Sequence, residues 1–379
     1  MNFSYWEKEY FLGKIDFLIV GAGLTGLQTA INLKEKEPKA NVVVIDRFAW
    51  SLGASTRNAG FACFANVSEI IDDLQNASPQ SVYSLIAKRY KGLLKLRDKF
   101  GDENIGYKEK GSTEIFTNEN KADLYKSIDS LQAINSILYT ELGLDNVFQY
   151  SSKSHLPNMI GGITNAFEGQ LNTGKLYATI YRFAQLIGIK ILGGIEIASW
   201  QKVGEVVEVE TEQGLSIKTT NLILCTNAFA SLLTNEDIEP ARGQVILSEK
   251  VEKLPCEGLH FYDKGFYYWR DIDNRILLGG ARNLDVQGET SHELKTNETI
   301  LAELKRFMNE HIFGRETKIE HEWSGIMAMG KTKAKTPLVK QLEPNVLLAA
   351  RLGGMGVALS ANVAEEVVAL IYDLVRRGE

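Results

Sequence analysis

A short apolar run, Ile15–Val20, leads directly into Gly21-Ala22-Gly23-Leu24-Thr25-Gly26, and no other feature constrains the fold as sharply. Behind the glycines, Leu24, Leu27, Ala30, Ile31 and Leu33 recur at helical spacing until Pro38. A second apolar run, Val42-Val43-Val44-Ile45, then ends on Asp46, 20 residues beyond Gly26. A bare GxGxxG is a weak signal, because glycine turns serve many loops. Strand, glycine turn, helix, second strand and terminal acid in this order make a βαβ dinucleotide-binding unit. Gly21 permits the tight turn, Gly23 lets backbone N–H groups approach a pyrophosphate, and Gly26 lets helix pack on strand. The helix N-terminus favours the anion. Asp46 can accept both hydroxyls of an adenosine ribose and would repel a 2′-phosphate.

The size of the chain fits that unit joined to a second one. At 379 residues, 44% hydrophobic and 24% charged, it has the composition of an ordinary globular protein and is too long for one core. A net charge of -6, with 42 basic against 48 acidic residues and no long like-charge run, leaves no footprint for nucleic acid. No apolar stretch is long enough to cross a membrane, and the start of the chain carries acids and aromatics where a signal peptide needs an apolar run. A cytoplasmic location is expected. Cys63, Cys225 and Cys256 are far apart, and the histidines at 155, 260, 292, 311 and 321 never fall three or four residues from one another. Neither a disulfide framework nor a metal site is indicated.

The segment after Asp46 favours FAD over NAD. Ser51-Leu52-Gly53-Ala54-Ser55-Thr56-Arg57-Asn58-Ala59-Gly60-Phe61 has no use in an NAD dehydrogenase, and no second GxGxxG occurs. Small and hydroxyl residues followed by Arg and Gly suit a loop wrapping a second phosphate; a plain surface turn is the alternative. Leu222–Cys225 reads as a buried parallel strand whose end, Thr226-Asn227-Ala228, would lie over the adenosine half. Gly353-Gly354-Met355-Gly356 precedes a long apolar-periodic helix whose N-terminus could stabilise charge on a reduced flavin. A simple glycine turn is the alternative there.

Taken together these segments resemble the superfamily of D-amino acid oxidase, glycine oxidase, sarcosine oxidase and gamma-glutamylputrescine oxidase, nearly end to end. Ser4-Tyr5-Trp6-Glu7, Pro240-Ala241-Arg242-Gly243-Gln244, Arg275–Gly280 and Asn345–Ser360 add to the likeness, and Gly53–Phe61 is closest to the gamma-glutamylputrescine oxidase branch. The resemblance implies non-covalent FAD. It would be held by Gly21, Gly23, Leu24, Thr25, Gly26, Asp46 and Arg47, then by Ala54, Ser55, Arg57, Asn58, Ala59, Gly60 and Phe61. Ile197, Thr226, Asn227 and Ala228 would follow on the adenine side, and Arg351, Gly353, Gly354, Met355 and Gly356 on the flavin side. The implied fold is α/β, a discontinuous Rossmann-like FAD domain (1–85, 150–232 and 324–379) with an inserted α+β substrate domain (86–149 and 233–323). That inserted domain reads as an antiparallel sheet with helices on one face, its strands at 112–117, 243–249, 259–262, 265–270 and 276–280 and its helices near 119–142 and 293–311. A further helix near 79–99 should cover the junction, and a hairpin is expected around Gln213-Gly214.

An enzyme of this kind takes hydride from the carbon beside an amine nitrogen, so positioning matters more than proton transfer. In Phe266-Tyr267-Tyr268-Trp269-Arg270 the strand period places Phe266, Tyr268 and Arg270 on one face, the one expected to meet the flavin; Arg270 could equally pair at the surface with Asp271 or Asp273. His260 is a further pocket candidate. Arg242 reads as a buried structural cation, and Arg282 as either a pocket residue or a strand end. Met327 stands where glycine and D-amino acid oxidases carry the arginine that grips a substrate carboxylate, and Leu277 where sarcosine oxidase has a lysine that assists oxygen reduction. The expected substrate is therefore a small amine or amino acid with its carboxylate absent or remote, unless Arg270, Arg282, Lys331 or Lys333 compensates. The electron acceptor is left open. An NAD dehydrogenase, a flavin enzyme of the glycerol-phosphate type and a catalytically silent flavoprotein are the rival readings.

Overall fold

The computed structural model describes residues 4–153, 156–332 and 335–377, so His155 and Lys333 lie outside the described residues. Two eight-stranded sheets carry the chain. Six strands of the first run in the order Leu338–Glu343, Val346–Ala350, Ser216–Leu224, Ile15–Val20, Val42–Asp46, Lys190–Gly193, parallel except at the Leu338–Glu343 edge, and Val206–Thr211 and Ile197–Val203 add an antiparallel flank on Ser216–Leu224. Its strands are apolar at successive positions because both faces are covered. Phe17, Ile19, Val42, Val44 and Ile223 meet the helices Leu24–Lys36, Thr173–Leu186 and Gly356–Arg377 on one face. Leu18, Val20, Val43, Ile45 and Leu222 pack on the other against Val207, Val209, Ala228 and Ile326.

The hairpin around Gly214 forms, but its second arm and the expected Leu222–Cys225 strand are one strand, Ser216–Leu224. Its first half pairs with Val206–Thr211 and its second half enters the parallel sheet.

The second sheet runs Ile319–Met329, Glu239–Ser248, Arg275–Gly280, Tyr267–Ile272, Leu259–Tyr262, Ser112–Thr117, Met159–Asn165, Phe148–Ser151. It is antiparallel save for the Leu259–Tyr262/Ser112–Thr117 pair. Its extent differs from expectation at two points. Phe148–Ser151 and Met159–Asn165 extend it past residue 150, and Ile319–Met329 extends it past 324.

Helices cover both faces of this sheet, not one. Ile246, Trp269, Ile276 and Leu278 meet Ile300, Leu301, Leu304 and Phe307 of the Glu298–Phe307 helix, which begins later than expected. On the reverse face, Phe116 and Ile163 meet Leu124, Ile134 and Leu138 of the Lys121–Leu142 helix. Further along that face Tyr268, Leu277 and Val245 turn toward Ala59 and Phe61, which leads to the site.

By length and composition Gly353–Leu374 could cross a membrane. Here its residues Val357, Leu359, Val363 and Val367 are core, packed on the Leu24–Lys36 and Pro79–Phe100 helices. The latter crossing is close: a Cβ added at Gly92 would lie 1.9 Å from the Ala358 carbonyl oxygen. Gly92→Ala should therefore destabilise the protein by about 1–3 kcal/mol, despite a helix-propensity gain of up to ~1 kcal/mol. Chemical denaturation measures this, and an unchanged or raised midpoint would show that the helices do not approach so closely.

Candidate active site

The glycine turn and the strand ends behind it bring the expected nucleotide residues together. A Cβ at Gly26 would lie 2.0 Å from the Gly21 carbonyl oxygen, so only glycine permits this approach of helix to strand. Asp46 accepts Ala22 N–H at 2.9 Å and Phe48 N–H at 3.1 Å, and thereby braces the turn. Ser55 Oγ accepts Leu24 N–H at 2.9 Å, which places the Ala54–Arg57 turn against the start of the Leu24–Lys36 helix. The next N–H groups of that first turn, on Thr25 and Gly26, have no partner within the helix and suit an anion. On the adenosine side the Arg47 guanidinium lies 3.6 Å from the Phe229 ring centroid and 3.8 Å from Glu196. Burial pulls its pKa down. Ile197 and Ala228 share the core cluster beneath, and Asn227 takes a positive φ of 49°.

The polar groups left over here fit a flavin dinucleotide. Thr226 Oγ1 and Arg57 Nε are buried with no hydrogen-bond partner among the described residues. At the far end, Cβ atoms added to Gly353 and Gly354 would meet only the sulfurs of Met329 and Met327, each at 3.7 Å, and one on Gly356 would meet nothing within 4 Å. That cradle is open where backbone must approach a ring. Arg351, expected at the cofactor, gives its guanidinium to Asp237 at 2.7 Å and so braces the loop before the cradle.

Between these ends a strap from Arg57 to Ser68 forms one wall. Arg57 Nη1 donates to Ser324 O at 2.9 Å, and Trp323 Nε1 donates back to Arg57 O at 3.0 Å. Asn58 Oδ1 accepts Gly60 N–H and the Thr173 hydroxyl, each at 2.9 Å. Leu171 N–H donates to Gly60 O. Phe61-Ala62 pair with Gly169-Gln170 as a two-stranded sheet.

Of the expected substrate-side residues, Tyr268 faces this wall. Its ring lies 5.5 Å from that of Phe61, which in turn lies 5.4 Å from Phe261, both edge to face. Leu259, Cys63 and Met355 complete the group, and Leu277 lies beside Tyr268 and Trp323. Burial alone pushes the Tyr268 phenol up to about 12, so it stays protonated near neutrality. Phe266 falls outside the strand and is 44% exposed.

Arg270 is buried and does not pair with a surface acid. Nε donates to Ala59 O at 2.5 Å, Nη1 meets Asp271 O, and desolvation lowers its pKa to about 10. It braces the strap from behind. Met327 sits beside Gly354 and Gly243.

His260 is a correction. It is paired with Trp269 across the strands and stacks on it at 5.2 Å and 10°, on the face turned away from Tyr268. Strand alternation dictates this, since Phe261 already occupies the site face. Arg242 is the expected structural cation, bonded to a wholly buried Glu289 at 2.8 Å. Arg282 is half-buried with Glu289 and Glu239 nearby. The sequence reading missed Glu168 and Glu114, whose carboxyls meet the strap; a single acid in a strand or turn carries no motif that would find them.

Asp46 braces the turn, and a carboxylate at the end of this strand is expected to take the ribose hydroxyls, so Asp46→Ala should weaken FAD binding by about 1–3 kcal/mol. Titration of the apoprotein with FAD measures this, and unchanged affinity would remove Asp46 from the cofactor site.

The sequence matches the family described as FAD dependent oxidoreductase (DAO) over residues 16–370. It is similar to the probable oxidoreductase OrdL of Haemophilus influenzae, 23% identical over 375 residues that cover 93% of this chain and 82% of the relative. Its fold is similar to glycine oxidase from Geobacillus kaustophilus, with a TM-score of 0.75, 18% identity and 95% of each chain covered. It is likewise similar to L-α-glycerophosphate oxidase from Mycoplasma pneumoniae with FAD bound, at a TM-score of 0.74, 15% identity and 94% of each chain. With the family match over nearly the whole length, and with the glycine turn, Asp46 and the Gly353–Gly356 segment all within it, the chain belongs to the DAO family of FAD-dependent oxidoreductases.

Proposed function

We propose that this oxidoreductase oxidises the C–N bond of a small amine or amino acid, with preference for amines lacking an α-carboxylate. The reading rests above all on the wall of Phe61, Phe261, Leu277 and Tyr268, whose side chains are apolar but for the one hydroxyl of Tyr268, protonated near neutrality. Bound FAD would accept the hydride from the carbon beside the nitrogen, leaving an imine that water hydrolyses. The chain's part is to bind, desolvate and aim the substrate. An apolar wall disfavours an ammonium ion and so favours the neutral amine whose lone pair assists hydride loss. The Tyr268 hydroxyl can fix one polar atom of the substrate. Arg270 adds positive charge nearby, but its Nε is committed to Ala59. Met327 cannot form the bidentate pair that an α-carboxylate requires. A glycerol-phosphate substrate would need phosphate-binding cations, and Arg57 likewise spends an N–H group on Ser324 O. A cytoplasmic setting accords with three cysteines free of disulfides, two of them buried.

The test is anaerobic mixing of FAD-loaded protein with N-methyl amines, polyamines, γ-glutamyl amines, glycine, D-alanine, lactate and glycerol phosphate, following flavin absorbance. Amines without an α-carboxylate should bleach the flavin fastest, and Tyr268→Phe should slow them about tenfold, the effect of one lost hydrogen bond. Bleaching by the hydroxy compounds alone would overturn the C–N assignment. Faster reduction by D-alanine would overturn the preference.

A further inference from the structure

The strap continues past Ala62 into a stretch, Cys63–Ser68, whose N–H groups are met by two buried glutamates. Glu168 Oε1 accepts Phe64 N–H at 2.7 Å and Ala65 N–H at 3.1 Å. Glu114 Oε2 accepts Val67 N–H at 3.1 Å and Ser68 N–H at 3.2 Å, and its other oxygen takes the Ser68 hydroxyl. Arg89 Nη1 donates to Phe64 O at 3.1 Å, but its ion pair is with Glu69. Glu168 is 0% exposed, and besides the two N–H groups its carboxyl meets the Ser112 hydroxyl and no basic side chain among the described residues. A buried carboxyl without a counter-ion is expensive, and an apolar side chain would fill the space without that penalty. What an apolar residue cannot do is take two successive backbone N–H groups.

We propose that Glu168, supported by Glu114, is a positioning residue of the oxidation site: it fixes the backbone that presents Phe61 and Cys63 to the substrate face of the flavin. The inference rests on the flavin site described above. Glu168 directly precedes Gly169, which pairs with Ala62, so the carboxyl and the two-stranded sheet hold the same piece of chain from two sides. Phe61 then sets the distance to Phe261 and Tyr268 across the pocket. Burial pushes both glutamates up to about 7. A neutral carboxyl still accepts both N–H groups through its carbonyl oxygen, so the amide of glutamine can replace it.

Glu168→Leu and Glu168→Gln are compared as FAD-loaded proteins by the visible circular dichroism of the bound flavin, by thermal unfolding, and by the rate and KM of flavin reduction with the amine that bleaches it. Glu168→Leu should alter the flavin dichroism and slow reduction about tenfold or more with little change in KM, because a shifted wall misplaces the reacting carbon. Glu168→Gln should restore both. A Glu168→Leu protein with wild-type dichroism and rate, and only a lower unfolding temperature, would overturn the proposal. If Glu168→Leu does not fold, Glu168→Asp, which withdraws the carboxyl by one methylene, is read by the same criteria. Should no amine reduce the wild-type flavin, the proposed reaction fails, while the dichroism still decides the role of Glu168.

Discussion

The strap from Arg57 to Ser68 lies between the two sheets, and most of its backbone partners are side chains from elsewhere in the chain. Arg270 takes Ala59 O, Glu168 takes two N–H groups, Glu114 takes two more, and Arg89 takes Phe64 O. A buried polar backbone group without a partner costs about as much as a lost hydrogen bond. Six side chains from distant parts of the sequence, with Trp323 and Thr173 included, therefore decide where the strap stands. The glycine turn is shaped by local geometry, whereas the strap is held by side chains that the second sheet and its neighbours bring to it.

That division explains the electrostatics of the site. Charged groups around the strap are used to hold protein, and the side chains packed beside it, Phe61, Phe261, Tyr268, Leu277 and Met355, are aromatic, aliphatic and sulfur-bearing. Arg270 and Arg57 each give N–H groups to backbone carbonyls, and Arg242 is neutralised by Glu289. On the proposed function, desolvation by such a surface favours the neutral form of an amine. The Tyr268 phenol and the two glutamates respond to the same burial, each with its charged form disfavoured.

Local sequence carried the nucleotide end, since Ile15–Asp46 is one contiguous unit whose turn chemistry and apolar periods agree. The long helices were equally legible: 79–99 and 119–142 were expected and Pro79–Phe100 and Lys121–Leu142 are found. The Met159–Asn165 strand was missed because it contains Gly161-Gly162, poor strand formers taken alone. Tyr150 and Leu124 fill the space above Gly161, a tertiary circumstance. His260 could be placed only once Phe261 was known to face the site. Glu168 and Glu114 were illegible for a similar reason, as nothing local marks an acid that will cap a strap about 50 or 100 residues away in the chain.

Amide hydrogen exchange of the FAD-loaded protein across residues 63–68 tests the central claim most directly, because Phe64, Ala65, Val67 and Ser68 donate to carboxyls and belong to no main sheet. If the glutamates and the second sheet hold the strap, these four amides open only with the surrounding core and exchange as slowly as those of the Leu259–Tyr262 strand. Exchange at the rate of an exposed loop would contradict the account, for the wall of the site would then be fixed by the cofactor and not by the fold.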